Sequence, residues 1–545
     1  MIVKFFTHNS ILRTLGTLTT CVLLTGCVGP FRDSTNAWFI DASDFPPEIC
    51  DSQPSEDDSL KCDRSEKDVI AGDVNNDGTI DFIVARKRYL SQRDCAFNHD
   101  PEACAAGLSN TTSNVNKRSA RLILNEAGAL RDRTADFTNW LSSSEHMTSR
   151  DVALADFNND GYLDVVFAPT ASELPRIYLN RGINPASSVW RGFSTTAIVP
   201  AIPSRVGEFS KLFCAVTTGD IDGDGDTDIF LSNYRPGLGT ADVLLTNQFN
   251  DLGTGSVRFN DESIARLGER RNSAFGTASR IIDIDGDGDQ DIVKISTLYN
   301  VAPWNRNTTA VLFNNGSGMF NSFYALPDRE QYMFDIGYYN ADNCLDIYEV
   351  TDGNDYLSLG RMTDSGMVFD TAIQLDRPSL VTSVGTGNRS DGLGGNIKHV
   401  TRDNTYLSNS IERCTNRNIE MPTAMIERNK IAAIIGVAPI DVEFPQTSCS
   451  RTASTRPAAD MVLFRNLTDN DMWRDALGTG EALLVGVAGP GGTPEDTDGR
   501  EVWEDLAHDF EIVDINRDGR LDIFMPLCTG YKVLEGVRLD FSASD

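Results

Sequence analysis

Asp283-Ile284-Asp285-Gly286-Asp287-Gly288-Asp289-Gln290-Asp291 sets five carboxylates within nine residues and runs straight into the apolar pair Ile292-Val293. Charges of one sign so close together repel strongly unless a cation sits among them. The same spacing, D-x-[DN]-x-D-G-x-x-D, occurs four more times. The first copy places Asp73, Asn75, Asp77, Gly78, Thr79 and Asp81, and the second Asp156, Asn158, Asp160, Gly161, Tyr162 and Asp164. The third has Asp220, Asp222, Asp224, Gly225, Asp226 and Asp228, and the last Asp514, Asn516, Asp518, Gly519, Arg520 and Asp522. A worn copy over 338–346 keeps Asn340, Asp342 and Asp346 but lacks the first Asp and the Gly.

Outward from these loops the chain repeats. Loop starts lie 83, 64, 63 and 55 residues apart, and a gap of 176 precedes the last. Each intact loop enters a short apolar run such as Phe82-Ile83-Val84 or Val165-Val166-Phe167, and most units then show a strand ending in Asn, at Asn180, Asn247 and Asn314. A period of about 60 residues with regular turn signals predicts about four short strands per unit and almost no helix. Such units cannot bury their faces alone, and radial stacking shields their edges, so the expected fold is an all-β propeller of four-stranded blades. Seven blades is the reading, with eight as the alternative. The seventh is expected around Val462-Leu463-Phe464-Arg465-Asn466, with a decayed loop near 434–442; residues 385–430 are then an insertion or an eighth blade. Trp38-Phe39-Ile40-Asp41 reads as an N-terminal strand that completes the last blade beside 532–534 and closes the ring.

The 545 residues carry 79 acidic and 48 basic side chains, a formal charge of −31. That balance repels nucleic acid and anionic lipid, so no nucleic-acid partner is expected. Nineteen of the acids lie in the five loops, which points to bound cations rather than a diffusely acidic surface. Residues 1–26 hold Lys4, Arg13, no acid and an apolar stretch too short and Thr-interrupted for a stable span, and read as an export signal. Leu24-Thr25-Gly26-Cys27 resembles the bacterial lipobox. That resemblance implies acylation of Cys27 and anchoring to the outer membrane, since Val28 and not Asp follows the cysteine; 27–35 then reads as a tether and the repeat-bearing 36–545 as the propeller. An ordinary signal peptide cut nearby is the alternative. Nine cysteines lie beyond Cys27, and short spacings in an oxidising compartment suggest Cys50–Cys62 and Cys95–Cys104 as staples, with Cys414–Cys449 a third pair.

In a tight loop, alternate positions 1, 3 and 5 turn one way, position 7 can offer its carbonyl, and Gly at position 6 permits the sharp turn. Several hard oxygen donors suit Ca²⁺. An EF-hand needs Glu at position 12, where this chain has Val84, Phe167, Leu231, Lys294 and Met525. The loops with their strands resemble instead the FG-GAP/VCBS repeat family, typified by integrin α-subunit propellers. Phe275-Gly276 ahead of Ile282-Asp283 carries the longer signature best, with Phe213-Cys214 and Phe510 as weaker counterparts. The resemblance implies about five Ca²⁺, each held by the side chains at positions 1, 3, 5 and 9 and the carbonyl at position 7. The competing account of each loop is a polar turn without metal, and for 338–346 that account is preferred. His99, His146, His399 and His508 stand in no metal or nucleophile pattern, so no catalytic residue is named. The expected activity is protein or glycan binding at the cell envelope, with insertions at 90–118 and 395–430 as contact regions; the alternative is a calcium-dependent polysaccharide lyase.

Overall fold

A computed structural model describes residues 31–33, 38, 66–87, 119–169, 173–203, 212–233, 240–253, 255–273, 276–297, 302–329, 331–339, 344–351, 356–370, 372–374, 397–401, 431–438, 461–466, 483–486, 509–519, 521–526 and 531–536. Among them the chain is all-β, folded into small antiparallel sheets, with helix limited to pieces such as Thr134–Phe137, Phe249–Leu252 and Ser263–Leu267. The first sheet is a meander of Glu66–Gly72, Asp81–Lys87, Arg121–Glu126 and Ala129–Asp132. Similar sheets follow, opened by Ser149–Ala155, Phe213–Gly219, Ser279–Ile282, Gln331–Gly337, Ile397–Thr401 and Glu511–Val513. The sheet opened by Ser149–Ala155 has three strands, and isolated bridges such as Asn180↔Phe193 stand where a fourth would run.

Every Asp-rich loop joins the first and second strands of its sheet in one register. The residue before position 1 pairs with position 9: Gly72↔Asp81, Ala155↔Asp164, Gly219↔Asp228, Ile282↔Asp291 and Val513↔Asp522. The worn copy keeps this register as Gly337↔Asp346.

Second strands are mostly apolar without alternation because both of their faces are covered, with buried charged exceptions such as Lys294 and Glu349. Ile83 and Ala85 pack toward Val152, Val165 and Phe167 of the second sheet, while Phe82 and Val84 pack toward Phe524, Tyr531 and Val533 of the last. Val166 and Ala168 join Ile229 and Leu231, whereas Phe230 joins Ile292 and Leu312. Val293 and Ile295 meet Ile336 and Ile347 of the fifth sheet. The core is thus a series of layers between successive sheets. The first and last sheets are also neighbours, the Phe82 and Phe524 rings stacking with centroids 4.0 Å apart.

First strands leave one edge unpaired, and side chains of the preceding sheet answer part of it. Val69 N–H donates to Asp509 Oδ2 at 3.0 Å, Val216 N–H to Asp151 Oδ2 at 2.7 Å, and Ile281 N–H to Thr217 Oγ1 at 3.1 Å.

Three expectations change. The strand beside Tyr531–Gly536 is Phe31–Asp33, paired as Phe31↔Gly536, and not 38–41. An outermost strand needs only main-chain pairing, so a three-residue segment serves, and it lies within the stretch read as a tether. Trp38 is buried instead in the layer between the last and first sheets, its indole Nε1 donating to Glu535 Oε1 at 3.1 Å. Ile434, read near a decayed loop, lies inside the strand Ile431–Ala438, which pairs with both Ile397–Thr401 and Met461–Asn466. Its unbroken apolar run favours a strand covered on both faces, and any loop between the first two strands of that sheet falls at 402–430, outside the described residues. Cys27, Cys50, Cys62, Cys95, Cys104, Cys414 and Cys449, with the insertion at 90–118, also lie outside them.

Candidate metal centres in the Asp-rich loops

Each loop is built from main-chain amides gripping the position-1 carboxylate. Gly78, Gly161, Gly225, Gly288 and Gly519 donate N–H to Asp73, Asp156, Asp220, Asp283 and Asp514 at 2.7, 2.7, 3.0, 3.0 and 2.8 Å. Position 6 sits at φ between 82° and 102° in all five, a left-handed backbone that glycine reaches without a Cβ clash. Position 5 turns its carboxylate back over position 7, whose N–H reaches Asp77, Asp160, Asp224 and Asp287 at 2.7 to 3.0 Å.

In the third and fourth loops this winding brings positions 1, 3 and 5 together. Asp220, Asp222 and Asp224 each contribute an oxygen to a trio within 4.8 Å of one another, and Asp283, Asp285 and Asp287 do the same. Oxygens bound 2.3–2.6 Å from one calcium ion can be at most about 5 Å apart, so an all-carboxylate trio of this size fits a hard divalent cation. The first, second and last loops have Asn at position 3. There Asn75 Nδ2 donates to Asp77 Oδ2, and Asn158 Nδ2 to Asp160 Oδ2, both at 3.1 Å. An amide at this position removes one repulsion and still offers an oxygen to a cation, because Asn Oδ1 lies on the same side chain.

Position 9 stands apart from the trios. Asp81, Asp164, Asp228 and Asp291 are buried, and each accepts two main-chain N–H groups. One comes from position 2 of its own loop: Val74, Phe157, Ile221 and Ile284 donate at 3.2, 2.9, 3.0 and 3.2 Å. The other comes from the Asn ending the third strand: Asn125, Asn180, Asn247 and Asn314 donate at 2.9, 2.6, 2.7 and 2.7 Å. Burial, with loop carboxylates adding to it, pushes Asp81, Asp228 and Asp291 up to about 8 and Asp164 up to about 7. Burial likewise raises Asp224 and Asp285 to about 6, and nearby Asp side chains reinforce it. A cation among these groups would favour their charged forms. The worn copy keeps this frame: Asp346 accepts Tyr339 N–H and Gly360 N–H, both at 2.8 Å.

The same asparagines also reach the neighbouring loop. Nδ2 of Asn125, Asn180, Asn247 and Asn314 donates to the position-2 carbonyls of Ile515, Val74, Phe157 and Ile221 at 3.0, 2.7, 2.9 and 2.6 Å. Each Asn therefore ties its own Asp to the loop of the sheet before, and Asn125 ties the first sheet to the last. Asn180, Asn247 and Asn314 are the strand-ending asparagines of the sequence pattern; Asn125, in the matching Leu122-Ile123-Leu124-Asn125, is a fourth that the structure adds. On the other flank, Asn76 Nδ2 reaches Gly161 O at 3.2 Å and Asn159 Nδ2 reaches Gly225 O at 3.3 Å. Of the position-7 residues, Thr79, Tyr162, Asp226 and Asp289 lie in described loops, while Arg520 lies outside the described residues.

Residues 156–231, from the second loop into the strand after the third, match the FG-GAP-like repeat family. No curated protein matches the sequence. Among solved structures, similarity extends to an Agrocybe aegerita lectin recognising non-reducing terminal N-acetylglucosamine, at 12% identity and TM-score 0.26, over 57% of this chain and 80% of that one. BBS1N in complex with ARL6DN aligns at 9% identity and TM-score 0.38, over 87% and 92%. An auxiliary nutrient binding protein from Bacteroides thetaiotaomicron aligns at 7% and 0.34, over 72% and 69%.

Proposed function

We propose that the chain is a calcium-stabilised, seven-bladed β-propeller that acts as a protein- or glycan-binding module at the bacterial cell envelope, tethered by a lipid on Cys27. The observation that carries the calcium reading is the oxygen trio of the third and fourth loops, whose span matches a hard-cation shell. The FG-GAP-like repeat over 156–231 supports the same reading. Support for a closed ring comes from the Phe82–Phe524 stacking, the Asn125–Ile515 hydrogen bond and the pairing of Phe31–Asp33 with the last sheet. Calcium here is structural: it cancels the repulsion among carboxylates and stabilises the folded state by mass action. A rigid ring then presents its inter-strand loops as a binding face.

Metal analysis joined to thermal unfolding of the chain beginning at Val28 tests this. About five equivalents of bound calcium and a large drop in Tm with EGTA are expected. No bound calcium and an unchanged Tm would reduce the loops to polar turns and remove the basis of the proposal.

A further inference from the structure

Beside the third loop stands a basic side chain that the fourth lacks among the described residues. Arg266, on the short helix Ser263–Leu267, places NH2 2.7 Å from Oδ2 of Asp222, the position-3 carboxylate. Both side chains are largely shielded, at 14% and 15% exposure. The remaining oxygen of Asp222, Oδ1, is buried and makes no hydrogen bond. Arg266 is held in place on its other sides: Nε pairs with Glu262, and NH1 donates to Ser317 O at 3.0 Å. The turn carrying Ser317 leaves space for the guanidinium only because residue 318 is glycine, since a Cβ there would lie 2.0 Å from Arg266 NH1 and 3.0 Å from Asp222 Cβ. Asp285, the matching residue of the fourth loop, carries no arginine among the described residues.

The geometry points to Arg266 as a resident counter-charge of the third loop, a positioning residue that sets its calcium affinity. This rests on the calcium reading above. The guanidinium offsets part of the repulsion among five aspartates, so the loop keeps its winding when stripped of metal. The same charge opposes an incoming divalent ion, so the third loop binds calcium more weakly than the fourth. Glu262 moderates the effect by sharing the guanidinium.

Calorimetric calcium titration of the whole chain from Val28 separates the two ideas. Asp220→Asn should remove one calcium equivalent and thereby identify the third site. Arg266→Gln, which keeps a donor without charge, should tighten that site about tenfold, the order a unit charge about 6 Å from a divalent ion produces in a water-like dielectric. Arg266→Lys should stay near the parent affinity, and Glu262→Gln should weaken the site. None of these changes should matter when combined with Asp220→Asn. Unchanged or weaker binding by Arg266→Gln would overturn the counter-charge role and leave calcium binding intact. Failure of Asp220→Asn to remove an equivalent would overturn calcium binding by the third loop and the role of Arg266 with it, while absence of bound calcium in the parent chain would overturn the calcium reading itself.

Discussion

At the scale of single residues, position 9 of each loop has two duties that pull its chemistry in opposite directions. It organises main-chain amides, which needs burial, and it adds charge to a loop already rich in carboxylates. Burial raises Asp81, Asp228 and Asp291 from 3.8 to about 8, so the folded state holds protons that the unfolded chain releases near 4. Stability from these groups is therefore complete below about 4 and is lost as pH rises through about 8. In chelator, Tm should fall as pH is raised from 5 to 9, and excess calcium should shrink that fall; equal slopes with and without calcium would contradict the account. A second residue-scale test is Gly288→Ala. Its Cβ meets nothing within 4 Å, but φ is +102°, so a loss of about 1–2 kcal/mol should come from backbone strain alone. Urea unfolding would measure it.

Between elements, the asparagines matter more than their surface-like residue type suggests. Asn247 gives N–H to Asp228 of its own sheet and Nδ2–H to Phe157 O of the preceding one, with both partners in buried settings. Asn247→Ala should cost about 1–3 kcal/mol, because a buried carbonyl loses its only side-chain donor. Asn247→Asp should cost at least as much, since a carboxylate cannot donate. Chemical denaturation of the two variants checks this, and a cost below 0.5 kcal/mol (roughly the noise of surface substitutions) would mean the tie is incidental. The loops and their strands were legible from spacing, charge and short apolar runs, because local winding and burial of both strand faces impose those patterns. The ties were not, because each joins residues about 90 or more apart and leaves no local periodicity.

For the whole molecule, the contact between the first and last sheets is the decisive one. Phe524→Ala should destabilise by about 3–5 kcal/mol through the cavity it opens against Phe82. If the ring is closed, Asn125→Ala should cost as much as Asn247→Ala, since both then perform the same inter-sheet tie. A cost near zero for Asn125→Ala alone would mark the first and last sheets as a loose junction. Starting the chain at residue 34 should lower Tm by exposing the edge of Tyr531–Gly536.

By itself the sequence determined the composition of the Asp-rich loops, their left-handed glycines and the apolar strands behind them, because each is a local property of nine to fifteen residues. It also determined the all-β class, since units of this length with such turns have little room for helix. Only the tertiary structure decided that Phe31–Asp33, not 38–41, completes the last sheet, that Asn125 bonds across to Ile515, and that Arg266 sits on Asp222. The physical reason is shared: an edge strand, a buried amide and a guanidinium act through partners far away in the chain, and packing alone selects those partners.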